Sequence, residues 1–590
     1  MPSTNHAEVV QINSRTNAPD NISESSAPLL PDNSKQASFK GGMAVEIAAA
    51  CFVAFLLGLS SLTYPLGADQ GILAVWAQEL ARGAVPYRDI WEQRPPLFYF
   101  LIYFGYLAGL REHLLVRVVD LILQIATAGV LSALGRRWFG RFAGILTGFF
   151  YAFSYFGMVS YHHQAQPESL YGLLLGIAFL LLDPWVRQDA ASPDWNLANK
   201  MRCFWAGVCC GLAFLSKYPI VLCAPVFLFV LFDKCALRAS LRRWALWAMG
   251  AAIPIILLCA WFGTVGALRS FVIDTIAFNF FHASRSIEGT AIVDGVLRYY
   301  SPNIQDLFQS FVFLLLDKKE IVAPLLLLLL IKLPRRALMI LGLYLLFGVG
   351  GIVLQKKMFL YHFIAIMPPL AMLSAAALRG LGDKICDQAH SCSRRLVWIV
   401  ICLLSLGAGY QTAARWLRSV QSAIKLCQGD ELWRRYFIDN HFSTGFPGQP
   451  KSHSAFILSD NLEAARVIQT LKKNDDQLLL IGRSALLQYL ADIQPSTRFI
   501  MSVPFHADGH PKVYEDEIDA ALASRPPQFI AVYGADNPAL AGYFERYIQP
   551  LYERPSVQGI LAGMEPIARF SSLTLYATPE RAQKWRELNN

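Results

Sequence analysis

The chain is poor in charged residues for its length. Only 16% of its 590 residues are charged, whereas soluble domains contain about 25%. Hydrophobic residues make up 54% of the sequence, and the mean hydropathy is +0.37. This balance argues against an ordinary soluble protein and indicates a polytopic membrane protein.

Cysteine is present, but it is not arranged to form disulfides or to bind a metal. Most of the 11 cysteines lie within apolar runs, where they act as small hydrophobic side chains. The sequence contains no Cys-x-x-Cys and no Cys/His metal spacing, and its C-terminal part holds only Cys427. The sequence therefore supports neither a disulfide framework nor a metal site built by these residues.

A concentrated basic surface is also lacking. The net charge is +9, but Lys and Arg occur in short clusters between apolar runs. That distribution is typical of membrane topology and not of a nucleic-acid-binding surface. We therefore expect contact with membrane lipid and no nucleic-acid partner.

Hydropathy divides the chain into three regions. Residues 1–40 are rich in Asn, Ser, Pro and Ala, and this composition predicts a disordered cytoplasmic tail. Residues 41–415 are predicted to form a transmembrane region, and residues 416–590 an extracytoplasmic domain. Individual spans, several of them shorter than the roughly 20 residues that cross a bilayer, are predicted near 44–63, 114–134, 142–160, 168–182, 204–216, 219–233, 245–264, 321–333, 337–354, 361–378 and 396–413.

The positive charges set the orientation of these spans. With the N-terminus in the cytoplasm, every dense Lys/Arg cluster faces the cytoplasm, including Arg136, Arg137, Arg242 and Arg243. Segment 97–110 is interpreted as a helix at the membrane interface, with a short span as the alternative, because counting it as a full span would put Arg136, Arg137 and Arg141 outside. The prediction is an α-helical polytopic membrane protein with about eleven transmembrane helices and an outer loop 64–113.

The C-terminal region differs in character. Charged helical patterns at 461–473 and 514–523 alternate with short apolar runs at 478–481, 529–532 and 573–576. Such alternation predicts a small α/β domain with a partly parallel sheet.

Unusual polar residues collect on the outer side in this topology. They comprise acids, cations and hydrogen-bonding side chains: Asp69, Arg88, Asp89, Arg94, His163, Glu168, Lys217, Lys356, Tyr361 and His362. Group transfer from a lipid phosphate suits this composition, because the anionic leaving group needs fixed cations at headgroup depth. A carboxylate such as Asp69 can take the proton of an attacking hydroxyl.

Several motifs resemble the GT-C superfamily of polyprenyl-phosphate-sugar glycosyltransferases, in the bacterial branch related to protein O-mannosyltransferases and the lipid A aminoarabinose transferase. Ala68-Asp69-Gln70 is similar to the acid pair after the first span, with Gln70 where that pattern has a second acid. The other similar motifs are Arg94-Pro95-Pro96, Gln166-Pro167-Glu168, Lys217-Tyr218-Pro219, and the segment 356–362 followed by Pro368-Pro369.

The resemblance implies a role for each candidate residue. Asp69 and Glu168 would be catalytic, with Asp69 the general base, while Arg94, Lys217 and Lys356 would bind the donor phosphate. Arg88, Asp89, His163, Tyr361 and His362 would bind substrate. The donor would be a polyprenyl-phosphate sugar, and the acceptor a hydroxyl of a glycan, lipid or protein on the periplasmic face of a bacterial inner membrane. No cofactor is required, although a divalent cation is compatible with the chemistry.

Other interpretations of these residues stay open at this point. Asp69 and Glu168 are each placed to cap a following helix, and Arg94 is placed to pair with Glu92. Two other functions are also compatible with the sequence. One is a lipid-linked polysaccharide polymerase or ligase, and the other is a secondary transporter or flippase, whose ionisable groups would lie nearer the bilayer midplane.

Overall fold

The computed structural model describes most of the chain. The described residues are 33–158, 163–187, 194–281, 288–293, 296–299, 312, 318–322, 324–325, 328, 334–387, 407, 409–429, 457–482, 484–505, 509–534, 544–545 and 547–589.

Helices dominate the first two thirds of the chain. They are α1 Asn33–Gly58, α2 Ala68–Ala81, α3 Leu97–Leu107, α4 Glu112–Phe139, α5 Arg141–Phe156, α6 Ser169–Leu181, α7 Asp183–Val186, α8 Leu197–Ser216, α9 Ala224–Leu231, α10 Leu237–Thr264, α11 Leu268–Val272, α12 Phe278–Phe281, α13 Lys319–Val322, α14 Arg335–Leu354 and α15 Met367–Asp387. Short 3-10 helices run over Leu59–Thr63, Tyr218–Cys223 and Leu360–Ile366, and a π-helix over Ile273–Ala277. Helix α1 extends into the segment 1–40, for which the sequence predicts disorder.

Five helical segments of the described ranges are long and apolar enough to cross a membrane. They are Met43–Thr63, Glu112–Phe139, Leu237–Thr264, Arg335–Leu354 and Tyr361–Lys384. Each overlaps a predicted span, so the polytopic helical fold class is confirmed. The predicted spans 321–333 and 396–413 lie largely outside the described residues, and the total of about eleven stays a prediction.

Helix α3 is too short to span the bilayer. Its 11 residues extend for about 16 Å at the α-helical rise, against a hydrocarbon core of about 30 Å. This length agrees with the prediction of an interfacial helix rather than a full span.

The C-terminal region is an α/β domain, as predicted. Its helices are α17 Leu458–Leu471, α18 Leu486–Ala491, α19 Val513–Ser524, α20 Gln549–Tyr552, α21 Pro555–Leu561 and α22 Pro579–Asn589. Helix α16, Tyr410–Cys427, precedes them and packs on the end of α1, where Trp416 Nε1 donates to the Leu57 carbonyl at 2.9 Å. Two short strands, β1 Glu288–Val293 and β2 Val296–Tyr299, and a third, β3 Lys357–Met358, precede the domain in a separate sheet. The strands of the domain are β4 Gln477–Ile481, β5 Gln494–Pro495, β6 Phe529–Tyr533, β7 Glu565–Arg569 and β8 Leu573–Ala577.

The sheet of this domain has the order β5-β4-β6-β8-β7. Strands β4 and β6 are parallel, whereas β8 runs antiparallel to both β6 and β7. The apolar patterns predicted β4, β6 and β8 because these strands are almost entirely buried. They missed β5, which has two residues, and the edge strand β7, in which no residue is fully buried.

The C-terminal domain packs directly on helix α2. A Cβ atom placed on Gly71 of α2 would lie 2.7 Å from the Leu486 Cβ and 2.9 Å from the Leu486 Cα at the start of α18. Residues of α2 such as Trp76 share one hydrophobic core with residues of the sheet such as Leu480. The helix that carries Asp69 is therefore also part of the docking surface for the C-terminal domain.

We predict that Gly71→Ala destabilises the protein, because backbone atoms of Leu486 cannot make room for the added methyl group. Overpacking of this kind costs roughly 1–3 kcal/mol and should lower the thermal unfolding temperature in detergent. Gly342→Ala is the matched control, since Gly342 also lies in a helix but has no neighbouring atom within 4 Å of the added Cβ. Equal unfolding temperatures for the two variants would contradict the close packing.

Candidate active site

Asp69 lies in the first turn of α2. The N-cap residue is Gly67, and no side chain caps this helix. The interpretation of Asp69 as a helix cap is therefore wrong. An acid in the first turn is still favourable, because the N-terminal end of a helix carries partial positive charge.

The Asp69 carboxylate is held by two nitrogen donors from other segments. Arg94 donates from Nη2 to Asp69 Oδ1 at 3.1 Å, and Gln166 donates from Nε2 to Asp69 Oδ2 at 3.2 Å. Arg94 also donates from Nη1 to the Tyr99 hydroxyl at 3.2 Å. The Asp69 and Arg94 side chains are 31% and 15% exposed, so the pair is accessible without being fully solvated.

Glu92 lies on the other side of Arg94. Its Oε1 accepts from the backbone N–H groups of Gln93 at 2.9 Å and Arg94 at 3.1 Å, and lies 3.8 Å from Arg94 Nε. Burial raises the pKa of Glu92, and the Arg94 guanidinium opposes this rise. The Arg94–Glu92 ion pair expected from the sequence therefore forms as well, and the Arg94 guanidinium lies between Glu92 and Asp69.

Gln70 stands where the similar motif has a second acid, and the structure explains why an amide suits this position. Gln70 is buried and donates from Nε2 to the carbonyl of Gln164 at 2.8 Å. The next residue, Ala165, has φ of +56°, and its N–H is donated to the Tyr155 hydroxyl at 3.0 Å. The amide at position 70 therefore holds the loop that presents Gln166 to Asp69, a contact that a carboxylate could not make as a donor.

A second cluster forms around Glu168, at the N-terminus of α6. Glu168 is the N-cap residue, but its side chain makes no capping hydrogen bond and instead pairs with Lys217. His362 Nε2 lies 3.6 Å from Glu168 Oε1, and Lys217 Nζ lies 5.3 Å from the Tyr361 ring centroid. Burial lowers the pKa of Lys217, and the neighbouring Glu168 opposes this effect.

The two clusters are joined by the loop between α5 and α6. Gln166 contacts Asp69, while Glu168, two residues later, contacts Lys217. The Ser216 hydroxyl donates to the Pro167 carbonyl at 2.7 Å, which fixes the loop from the other side. Acids and cations thus alternate along one continuous surface.

Arg88 and Asp89, which the sequence predicts to bind substrate, lie apart from the two clusters. Arg88 and Asp89 bind each other through two contacts of 2.8 Å, and Arg88 also reaches the Val265 carbonyl. The contacts of Asp69 and Arg94 described above are made by Gln166 and Tyr99 instead. Their predicted role as substrate contacts therefore has no support from the geometry, because adjacent opposite charges at a turn satisfy each other.

Lys356 and His163, two other predicted site residues, lie in different environments. Lys356 is exposed, has φ of +52°, and makes no side-chain hydrogen bond or ion pair among the described residues. His163 is buried, and its ring centroid lies 6.5 Å from that of Tyr361. His163 thus borders the second cluster, whereas the structure does not join Lys356 to either cluster.

Three residues of the site were not assigned a role from the sequence. Gln166 and Tyr99 hydrogen-bond directly to the Asp69–Arg94 pair, and Glu92 orients the Arg94 backbone. The signal for Gln166 and Glu92 was their position in polar runs between apolar segments. Tyr99 gave no such signal, because it lies within the aromatic run of α3.

The residues described by the structure include no group of three His, Cys, Asp or Glu side chains placed to hold a metal ion. The positive charge beside the acids comes from Arg94 and Lys217. These two cations and the Asp69 carboxylate form a surface suited to an anion next to a proton acceptor.

We predict that Lys217→Met destabilises the protein, because it leaves the buried Glu168 carboxylate without its ion-pair partner. Breaking a buried pair from one side costs roughly 3–5 kcal/mol. Adding Glu168→Gln should restore much of this loss, since the double variant buries no unpaired charge. Thermal unfolding in detergent measures both, and a double variant as unstable as the sum of the two single variants would contradict a buried pair.

Comparison with known proteins agrees with this architecture. Residues 93–263 match the family model for dolichyl-phosphate-mannose-protein mannosyltransferase. No curated protein matches the chain in sequence. The solved structure of ArnT from Cupriavidus metallidurans bound to undecaprenyl phosphate is 15% identical, with a TM-score of 0.52, and the match covers 91% of this chain and 98% of that one.

The apo structure of the same ArnT is 16% identical, with a TM-score of 0.51, and the match covers 92% of this chain and 99% of that one. The resemblance predicted from the sequence motifs is thereby confirmed at the level of the fold. The chain is a multi-pass membrane protein with the GT-C fold seen in ArnT, and its residues 93–263 are similar to the mannosyltransferase family model.

Proposed function

We propose that the protein transfers a sugar from a polyprenyl-phosphate donor to an acceptor hydroxyl. The observation that carries the proposal is the Asp69–Arg94 pair, in which a proton acceptor and an anion-binding cation are in contact at 3.1 Å. The family match over residues 93–263 and the ArnT-like fold support it.

Arg94 would hold the donor phosphate. Its hydrogen bonds to Asp69 and Tyr99 use two of the roughly five N–H donors of a guanidinium, so donors remain for a phosphate oxygen. Lys217 would add a second positive charge from the neighbouring cluster. Lys356 is a weaker candidate, because it is exposed and makes no contact with this pair among the described residues.

The proposed step is a direct displacement. Asp69 takes the proton of the acceptor hydroxyl, the acceptor oxygen bonds to the anomeric carbon, and the bond from that carbon to the phosphate oxygen breaks. Polyprenyl phosphate leaves with the bonding electrons, and Arg94 and Lys217 stabilise the charge that develops on it. Attack opposite the phosphate predicts inversion at the anomeric carbon.

Asp69 can accept that proton despite its two existing contacts. A carboxylate has about four lone-pair sites, so hydrogen bonds from Arg94 and Gln166 are compatible with a third from a hydroxyl. Glu168 would orient the acceptor or the sugar, together with His163, Tyr361 and His362 around it.

The chemistry does not depend on a metal ion in this proposal. Nitrogen donors contact both Asp69 oxygens, so positive charge and hydrogen-bond donors already face this carboxylate. Arg94 and Lys217 would instead supply the neutralising charge. Unchanged transfer in the presence of a chelator is the expected result, and its loss with restoration by a divalent cation would contradict this view.

The reaction would take place on the periplasmic face of a bacterial inner membrane. The distribution of Lys and Arg clusters supports this orientation, since it leaves the outer loops and the C-terminal domain on the opposite side from the positive clusters. The sugar can be a hexose or a pentose, and the acceptor a glycan, a lipid or a protein.

We predict that Asp69→Asn lowers the turnover of purified protein assayed with a panel of polyprenyl-phosphate sugars. Loss of a general base reduces the rate by about 10²- to 10⁴-fold, because asparagine keeps the shape but cannot take the proton. Asp475→Asn, the same change at an exposed acid of the C-terminal domain, should leave the rate unchanged. Full activity of Asp69→Asn would eliminate Asp69 as the base.

We predict that Arg94→Lys raises the KM for the lipid donor. Lysine keeps the charge but loses the planar fork that binds a phosphate with two donors, and one charged hydrogen bond corresponds to about 10- to 100-fold. Arg586→Lys is the control, since Arg586 is 60% exposed and lies in the terminal helix α22. An unchanged donor KM would contradict a role of Arg94 in phosphate binding.

Activity of the unaltered protein only with diphosphate donors would favour a polymerase or ligase.

A further inference from the structure

The C-terminal domain contacts the loop that carries Arg94 through Trp91 and Tyr87. The Trp91 N–H is donated to the Arg498 carbonyl at 2.8 Å, and its indole Nε1 donates to the Tyr514 hydroxyl at 3.1 Å. Trp91 is fully buried, so both polar contacts are shielded from water. Three residues later the same loop presents Arg94 to Asp69.

A third segment, Ile273–Ala277, completes this junction through Asp274. Asp274 Oδ1 accepts from the Tyr514 hydroxyl at 2.8 Å, and Asp274 Oδ2 accepts from Arg498 Nη1 at 2.7 Å. Asp274 is completely buried, and the Arg498 side chain is 11% exposed. Tyr514 therefore both donates to Asp274 and accepts from Trp91.

Further hydrogen bonds hold the loop along its length. Arg498 Nη1 donates to the Tyr87 carbonyl at 3.0 Å, and Asn279 Nδ2 donates to the Gln93 carbonyl at 2.6 Å. The Tyr87 hydroxyl donates to the Arg94 carbonyl at 2.7 Å. The backbone from 87 to 94 is thus anchored at its beginning, its middle and its end.

This arrangement does more than attach one domain to another. A buried ion pair is weak evidence for stability, because desolvation of both charges offsets much of their attraction. Geometry is the clearer consequence here, since Tyr514 and Arg498 contact the short loop before Arg94 directly and Asp274 holds both of them. Phosphate recognition by a guanidinium depends on such orientation.

We propose that Asp274, Arg498 and Tyr514 are positioning residues, through which the C-terminal domain sets the orientation of Arg94 for donor binding. This inference rests on the proposed function for the role of Arg94. The positioning itself is a statement about the loop and can be measured independently of activity.

Tyr514→Phe is the test variant, because it removes the one hydroxyl that contacts both Trp91 and Asp274. We expect faster amide hydrogen exchange over residues 87–94 and a donor KM raised about 3- to 10-fold, the effect of one neutral hydrogen bond, with kcat nearly unchanged. In the Arg94→Lys background the same change should have little further effect on KM, because the residue being positioned has lost its fork.

Tyr533→Phe is the matched control. Tyr533 is a buried tyrosine of the same domain, and its hydroxyl donates to Asn461 Oδ1 at 2.6 Å, away from the loop. It should lower stability to a similar extent without changing exchange at 87–94 or the donor KM.

The outcomes separate the two proposals. Exchange over 87–94 that is no faster in Tyr514→Phe than in Tyr533→Phe overturns the positioning role, whatever the activity. Additive effects of Tyr514→Phe and Arg94→Lys on KM overturn it as well. Faster exchange in a protein that transfers no sugar from any polyprenyl-phosphate donor supports the positioning role and overturns only the proposed function.

Discussion

The ion pair between Asp69 and Arg94 is the contact on which the rest of the site depends. It joins the first turn of α2 to the loop before α3, and the Trp76 ring of α2 packs on the Tyr87 and Tyr99 rings of the same region. Because the pair is partly buried, its charges are less screened than at an open surface, and each side chain fixes the orientation of the other. The hydrogen bonds from Gln166 to Asp69 and from Arg94 to Tyr99 extend this pair into the neighbouring segments.

The polar loop that precedes α6 shows how the apolar bundle supports a polar surface. Buried side chains inside the bundle reach it from below: Tyr155 accepts from the N–H of Ala165 and donates to Asp120 at 2.7 Å. Gln70 and Ser216 hold it from the sides. A polar group buried without a partner costs free energy, so each of these contacts restricts the loop to the conformation that presents Gln166 and Glu168.

Much of the fold was predictable from pattern alone. Apolar runs predicted the long helices because a helix in lipid must satisfy its own backbone and expose apolar side chains. Alternating charged and apolar runs predicted the C-terminal α/β domain and its three buried strands. The edge strand β7 was missed because it lacks a buried apolar run, and its pairing with β8 is a tertiary contact.

The site was predictable in its composition but only partly in its partners. Motif resemblance identified Asp69, Arg94, Glu168 and Lys217, and each makes an ion pair within the two clusters. It also suggested Arg88 and Asp89, which neutralise each other at a turn. Sequence adjacency places opposite charges near each other but does not say whether they will face the site or bind one another.

The sequence by itself determined the membrane class, the helical and α/β regions, and the kinds of side chain at the candidate site. These follow from hydropathy and charge, which act locally along the chain. Only the tertiary structure decided that the Gln70 amide holds a loop and that the C-terminal domain reaches the Arg94 loop through Trp91. It also decided that Lys356 makes no contact with either cluster among the described residues. Those outcomes depend on which distant segments pack together, because hydrogen bonds form over about 3 Å and sequence separation carries no distance.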